Sequence, residues 1–228
     1  TGTNMLLTLG AASRGLQEAA DAGIGTLAKR TADSAIMGAR GNSGVILAQL
    51  FRGIARGLAG KEEASSCEIG KAFQYGVLYA YRAVAQPVEG TILTVAKGVA
   101  RGARRAVREE RSFDEVLAAA LQVGEEELAR TPLLLKALRD AGVVDAGGKG
   151  LLVFLQGCAE GLRGEMTSPE GSSSFRLTAK PSLSEDAVNL AHPYCTEFLV
   201  KKSRVSGGEA RQALQNLGES LILAEGGD

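Results

Sequence analysis

The stretch Gly41-Asn42-Ser43-Gly44-Val45-Ile46-Leu47 joins a polar, glycine-rich turn directly to an apolar run. Beyond it, apolar residues recur at the three- and four-residue spacing of one helix face, at Leu50, Phe51, Ile54 and Leu58. The spacing predicts a helix that begins at or just after the turn. Because the first N–H groups of a helix have no intrahelical partners, this turn is also a candidate binding surface.

Three further glycine-bearing turns stand directly before predicted helices: Thr1-Gly2-Thr3-Asn4, Glu89-Gly90-Thr91 and Asp145-Ala146-Gly147-Gly148. Glycine lets a phosphate approach the backbone, and Ser, Thr or Asn adds a side-chain donor. Four such ends converging in one helical bundle would form an anion site suited to a nucleotide. Each turn alone is better explained as an ordinary cap; four of similar type in one domain favour a binding site more, but spacing does not show that they converge. No GxxxxGK[ST] or GxGxxG motif occurs, which disfavours a standard P-loop or dinucleotide fold.

Helical patterns fill residues 1–164. The predicted helices cover about 5–20, 25–39, 45–58, 66–85, 91–110, 112–130, 132–141 and 148–162. Capping boxes begin at Ser65 and Ser112, and Thr131-Pro132 is interpreted as the N-cap and first residue of a short helix that Gly142 closes. Glycines inside the helices at four-residue spacing predict close helix packing, at Gly53, Gly57, Gly98 and Gly102.

Composition excludes several classes of protein. The 228 residues include 26 acidic and 26 basic side chains, so net charge gives no reason to expect nucleic-acid or anionic-membrane binding. No apolar run approaches the roughly 20 residues needed to span a membrane. Three separated cysteines fit a reducing compartment, and we expect a cytoplasmic protein. The single histidine, His192, lies far along the chain from Ser43, which disfavours a Ser-His-Asp arrangement.

The composition changes after the helical region. Residues 165–174 collect Ser, Pro, Gly and Glu, and we predict a linker over 165–185. Residues 186–228 are predicted to begin an α/β domain, with strands at 194–200 and 221–224 and a helix at 208–217. The expected organisation is a helical domain over 1–164, cut off at its N-terminus, followed by the start of a second domain.

The four turns, in order, resemble the nucleotide-binding domain of the dihydroxyacetone kinase L-subunit type (DhaL-like, DAK2), and most of all the ATP-binding subunit of bacterial fatty acid kinase. The segments that carry the likeness are 1–5, 38–47, 87–95 and 141–150, and 194–198 adds to it. The resemblance implies a mainly α fold: an antiparallel barrel of about eight helices, its N-terminal part missing here, with ATP held at one end.

The resemblance also implies roles for individual residues. The residues expected to bind the nucleotide are Thr3 and Asn4 beside the phosphates and metals, Asn42, Ser43 and Gly44 around phosphate, Thr91 and Ile92 against the nucleotide, and Asp145, Ala146 and Gly147 closing over it. In the family, Mg²⁺ is held by aspartates of a loop of the type Asp-Gly-Asp-Thr-Gly-Thr-Asn-Met. These would lie upstream of Thr1, so we expect the chain alone to lack kinase activity. Cys195 matches a ligand of a metal site, with zinc left open.

The implied reaction is phosphoryl transfer from ATP, with Mg²⁺, to the carboxylate of a fatty acid that a separate fatty-acid-binding protein presents. Such catalysis rests on positioning and electrostatic stabilisation, which fits the lack of an evident nucleophile or base. Two alternatives stay open at this point: a dihydroxyacetone-type kinase acting on a small keto-alcohol, and a non-catalytic helical scaffold. A homodimer is also left open.

Overall fold

The computed structural model describes residues 2–16, 22–164, 204–218 and 221–224, together with 196, 198 and 200. Every regular element in these ranges is a helix. In chain order they are α1 Gly2–Leu16, α2 Ile24–Met37, α3 Gly41–Leu58, α4 Ser66–Ala83, α5 Ile92–Arg108, α6 Phe113–Leu134, α7 Lys136–Ala141, α8 Ala146–Leu162 and α9 Gly207–Leu214. The prediction of a mainly α fold is confirmed.

The helices form a closed ring. Each of α1 to α5 packs on the next helix along the chain, and α8 packs against α5, α6 and α1. The contact between α8 and α1 closes the ring. Since short connections make consecutive helices antiparallel neighbours, the arrangement is the expected antiparallel barrel. Its centre is filled by fully buried aliphatic side chains, the largest being Leu47, Leu93, Val95, Val116 and Leu152.

Glycines lie where the helices approach most closely. A Cβ built on Gly53 of α3 would lie 2.2 Å from the carbonyl oxygen of Tyr75 in α4, and one on Gly102 would lie 2.3 Å from that of Ala119. Gly57 and Gly98 are similarly crowded, by Ala72 and Glu127. The predicted role of the four helical glycines in close packing is confirmed, because no side chain fits in these contacts.

The predicted helix caps are present in the structure at two sites and absent at a third. Ser65 and Ser112 form the predicted capping boxes with Glu68 and Glu115. The prediction for Thr131-Pro132 is wrong, since both residues lie inside α6. Pro132 has no N–H for the carbonyl of residue 128, and the Thr131 hydroxyl donates to that carbonyl at 2.7 Å instead.

The short helix that was expected to begin at Pro132 is α7. It begins at Lys136 and ends at Gly142, which adopts the left-handed conformation with φ 66°. The predicted end at Gly142 is therefore confirmed, because glycine takes this conformation without the cost that a Cβ would bring.

Beyond residue 164 the described part of the chain is short. Helix α9 confirms the predicted helix, ending three residues before the expected 217. The predicted strand at 221–224 is wrong, since these residues form only one antiparallel bridge, between Ile222 and Val84. Of the predicted strand at 194–200, residues 196, 198 and 200 are described, none in a strand. The linker at 165–185 and Cys195 lie outside the described residues, and the domain boundary stays a prediction.

Candidate nucleotide-binding site

The first turns of α1, α3, α5 and α8 meet at one end of the barrel. The backbone N–H of Arg40, the N-cap of α3, donates to Thr8 Oγ1 of α1 at 3.3 Å. A Cβ on Gly150 of α8 would lie 2.7 Å from Met5 Sδ of α1, and one on Gly147 would lie 3.3 Å from Ile92 Cβ of α5. These contacts bring together the four turns that the sequence singled out.

The N-terminus of α3 carries unpaired backbone donors. Gly44 is the first residue whose N–H reaches a carbonyl of the helix start, that of Arg40 at 3.1 Å. Within the described residues, the N–H groups of Asn42 and Ser43 therefore have no helical partner. Asn42 is exposed and Ser43 half-buried, whereas Gly44 is buried. A Cβ on Gly44 would lie 2.5 Å from Thr8 Oγ1, so this close approach requires glycine.

The loop before α5 is held by its own polar side chains. Thr91, the N-cap, accepts from the N–H of Leu93 at 3.4 Å and donates to the carbonyl of Val88 at 2.8 Å. Gly90 has φ 85°, a conformation that favours glycine. The side chain of Ile92 is buried in the core.

Asp145 joins the starts of α8 and α5. Its carboxylate Oδ2 accepts from the N–H of Gly148 at 2.7 Å, and the N–H groups of Ile92 and Gly147 donate to the same carboxylate. Burial raises the pKa of Asp145, and these backbone hydrogen bonds act in the opposite direction. The carboxylate therefore fixes two helix starts relative to each other, while Ala146 lies exposed beside it.

The remaining predicted residues, Thr3 and Asn4, lie in the first turn of α1, and Arg40 lies nearby as the N-cap of α3. Thr3 is exposed and Asn4 half-buried in the first turn of α1, where the carbonyl of Asn4 accepts from Thr8 Oγ1 at 2.9 Å. Arg40 is exposed, and its guanidinium Nη1 donates to the carbonyl of Ala39 at 2.7 Å. Among the described residues at this end of the barrel, the N–H groups of Asn42 and Ser43 are therefore donors without a helical partner.

Three buried threonines lie behind these turns; sequence reasoning missed Thr8 and Thr94 and interpreted Thr131 only as a helix N-cap. Thr8, Thr94 and Thr131 are 0%, 5% and 0% exposed. Each hydroxyl accepts a backbone N–H at the start of a site helix: that of Arg40 for Thr8, that of Gly90 for Thr94 at 2.8 Å, and that of Asp145 for Thr131 at 3.1 Å. A threonine among apolar residues of a helix is the signal that would have identified them.

In the described part of the chain, no cluster of three or more His, Cys, Asp or Glu side chains could hold a metal ion. None of the described helices combines the length and the apolar character that crossing a bilayer requires.

Comparison with known proteins agrees with this architecture. In the described residues, the fold defines a class of protein: a barrel of helices with several helix N-termini at one end. The family model of the DAK2 domain matches residues 1–160, and the chain belongs to the DAK2 domain family, which is related to kinases. The predicted family is confirmed.

The relatives extend the match beyond the barrel. Protein YloV of Bacillus subtilis is 37% identical over 236 residues, covering 98% of this chain and 42% of YloV. An uncharacterised protein of Staphylococcus epidermidis is 37% identical with the same two coverages. An uncharacterised protein of Staphylococcus aureus is 36% identical. The chain thus spans about two-fifths of the length of the curated relatives it matches.

Proposed function

We propose that this chain is the ATP-binding part of a DhaL-like kinase, holding the nucleotide phosphates at the barrel end where α1, α3, α5 and α8 begin. The observation that carries the proposal is the convergence of four helix N-termini around backbone donors. Helix N-termini combine unpaired N–H groups with the positive end of the helix dipole, which suits phosphate.

The residues at this end fit a polyphosphate in different ways. The N–H groups of Asn42 and Ser43 and the Ser43 hydroxyl are the donors available at α3. Asp145 would act through the backbone that it fixes, because its carboxylate already accepts N–H groups of α5 and α8. Bound ATP would supply the phosphoryl group, and Mg²⁺ would come with it. The chain's own residues would orient the phosphates and neutralise part of their charge.

For the acceptor, we propose the carboxylate of a fatty acid presented by a separate fatty-acid-binding protein. A carboxylate oxygen would take the γ-phosphoryl group to give an acyl phosphate and ADP. The support for this choice is the resemblance of the four turns, together with segment 194–198, to the ATP-binding subunit of fatty acid kinase. The second candidate is a dihydroxyacetone-type kinase, which belongs to the same domain family.

Isothermal titration of Mg-ATP into the full-length protein tests nucleotide binding. The variant is Ser43→Ala, and the matched control is Ser13→Ala, an exposed serine about three turns along α1. A hydrogen bond to a charged group contributes about 1.5–3 kcal/mol. We therefore expect the Kd of Ser43→Ala to rise about tenfold or more, and that of Ser13→Ala to stay unchanged. Equal Kd values for wild type and Ser43→Ala would refute this site.

Product analysis distinguishes the candidate acceptors. Full-length protein is incubated with Mg-ATP and either a fatty acid with its binding protein or dihydroxyacetone. Acyl phosphate supports the first assignment, and dihydroxyacetone phosphate supports the second. A non-catalytic scaffold would give neither product, and Mg-ATP would not raise its melting temperature.

A further inference from the structure

Three buried hydroxyl groups lie directly behind the turns of the proposed nucleotide site. The side chains of Thr8, Thr94 and Thr131 each use their hydroxyl twice. Each accepts one N–H from a residue at or next to a helix N-cap, and each donates to a nearby oxygen. The same arrangement occurs on three different helices, so it is a property of this end of the barrel and of no single helix.

The acceptors of the three hydroxyl groups differ. Thr8 donates to the carbonyl of Asn4 at 2.9 Å, and Thr131 donates to that of Leu128 at 2.7 Å. Thr94 donates to the carboxylate Oε2 of Glu89 at 2.6 Å. A hydroxyl has one proton and two lone pairs, so donating leaves it able to accept. In each case the donated bond fixes the hydroxyl direction and leaves a lone pair for the N–H at the cap.

The last turn of α6 supports two caps at once. Thr131 holds the N-cap of α8 through the N–H of Asp145. The neighbouring residues Leu134 and Leu135 lie against Gly90, where a Cβ would come within 3.1 Å of both. Pro132 has a part in this arrangement, because its missing N–H leaves the Leu128 carbonyl for the Thr131 hydroxyl.

We propose that Thr8, Thr94 and Thr131 are positioning residues, which hold the backbone of the α3, α5 and α8 caps and thereby set the affinity of the site for a nucleotide. This inference rests on the proposed function for the identity of the ligand. The claim that the three threonines hold the cap backbone does not depend on that function. Removing a hydroxyl would leave a cap N–H without its partner and free that turn to move, so the donors facing the phosphates would lose their common orientation.

The test compares threonine-to-valine variants in the full-length protein. Valine keeps the shape of threonine and removes the hydroxyl. The control is Thr31→Val, because Thr31 Oγ1 donates to the carbonyl of Leu27 at 2.8 Å and, within the described residues, accepts no cap N–H. Conservative Thr→Ser variants at the three sites keep the hydroxyl. The two readouts are the Kd for Mg-ATP by calorimetry and amide hydrogen exchange at Arg40, Gly90 and Asp145.

The expected results distinguish a positioning role of the three threonines from a purely structural role. Each of the three valine variants should raise the Kd about tenfold and accelerate exchange of its own cap amide at least tenfold. The serine variants should stay within about threefold of wild type, and Thr31→Val should change neither readout. Unchanged Kd and unchanged cap exchange in the valine variants would overturn the inference. If wild type does not bind Mg-ATP, the proposed function fails, while the exchange readout still decides whether the threonines hold the caps.

A double variant gives a sharper answer at Thr131. Pro132→Ala restores an N–H that can pair with the Leu128 carbonyl. In that background, loss of the Thr131 hydroxyl should destabilise the fold less, because the carbonyl keeps a partner. The Kd should still rise about tenfold, because the N–H of Asp145 remains unpaired. A Kd that recovers together with stability would contradict the positioning role.

Discussion

Substituting alanine for Gly53 tests how closely the barrel helices pack. A Cβ at this position would lie 2.2 Å from the carbonyl oxygen of Tyr75 and 2.5 Å from the Cα of Gly76. Both are backbone atoms, so no rotamer change relieves the contact and α3 must move away from α4. Overpacking of this kind costs about 1–3 kcal/mol, and backbone on both sides favours the upper value.

Alanine also favours the helix over glycine by about 1 kcal/mol, so the net loss for Gly53→Ala is about 2 kcal/mol. Gly157 is the matched control, since it lies inside α8 and a Cβ there would meet no atom within 4 Å. Gly157→Ala should therefore gain about 1 kcal/mol. In a protein of this size, 1 kcal/mol shifts the melting temperature by about 2–4 °C.

The assay is thermal and denaturant unfolding followed by far-UV circular dichroism. The melting temperature should fall by about 4–8 °C for Gly53→Ala and rise by about 2–4 °C for Gly157→Ala. A Gly53→Ala protein as stable as wild type would show that the helices are farther apart than the structure has them. Equal changes in melting temperature for the two variants would refute the argument that close packing, and not helix propensity, decides the effect at Gly53.

Two further predictions concern caps and charge. Hydrogen bonds from Lys61 first, and then from Ser65, lower the pKa of Glu68 to about 2, so the stability it contributes is present above its unfolded pKa near 4.3 and is lost as pH falls through about 2. Lys61→Met should raise this pKa, measured by NMR titration, and weaken the pH dependence of stability in that window. Asp145→Ala should lower stability by about 1–2 kcal/mol through loss of the α8 cap and of the contact with α5, measured by denaturant unfolding. Asp145→Asn should cost less, because its amide oxygen can still accept the N–H of Gly148.

Most of the helices of the barrel could be predicted because their signals are local. The apolar spacing of α3 and the capping boxes at Ser65 and Ser112 depend on residues three or four positions apart. The predicted helix start at Thr131-Pro132 was wrong because of tertiary packing. Locally it has the pattern of a helix start, but Thr131 is fully buried and its hydroxyl bonds both its own helix and Asp145 of α8.

The candidate site was predicted in part. The sequence named the four turns because glycine and small polar residues before a helix have a local physical reason. It did not identify Thr8, since the N–H group that Thr8 accepts is that of Arg40, 32 residues away. Thr94 was also missed, although its partners Gly90 and Glu89 lie only four and five residues away. For Ile92 the resemblance implied a contact with the nucleotide, and the structure places its side chain in the core.

The sequence by itself therefore determined the helical class of this protein, the capped starts of α4 and α6, and the glycines at the helix contacts. These properties depend on periodicity, capping and side-chain size, which residues close together in the sequence determine. The tertiary structure alone decided that four distant helix starts meet at one end, because α8 closes the ring against α1. It also decided that Thr8 and Thr131 accept the N–H groups of Arg40 and Asp145, since these two contacts form only when separate helices pack together.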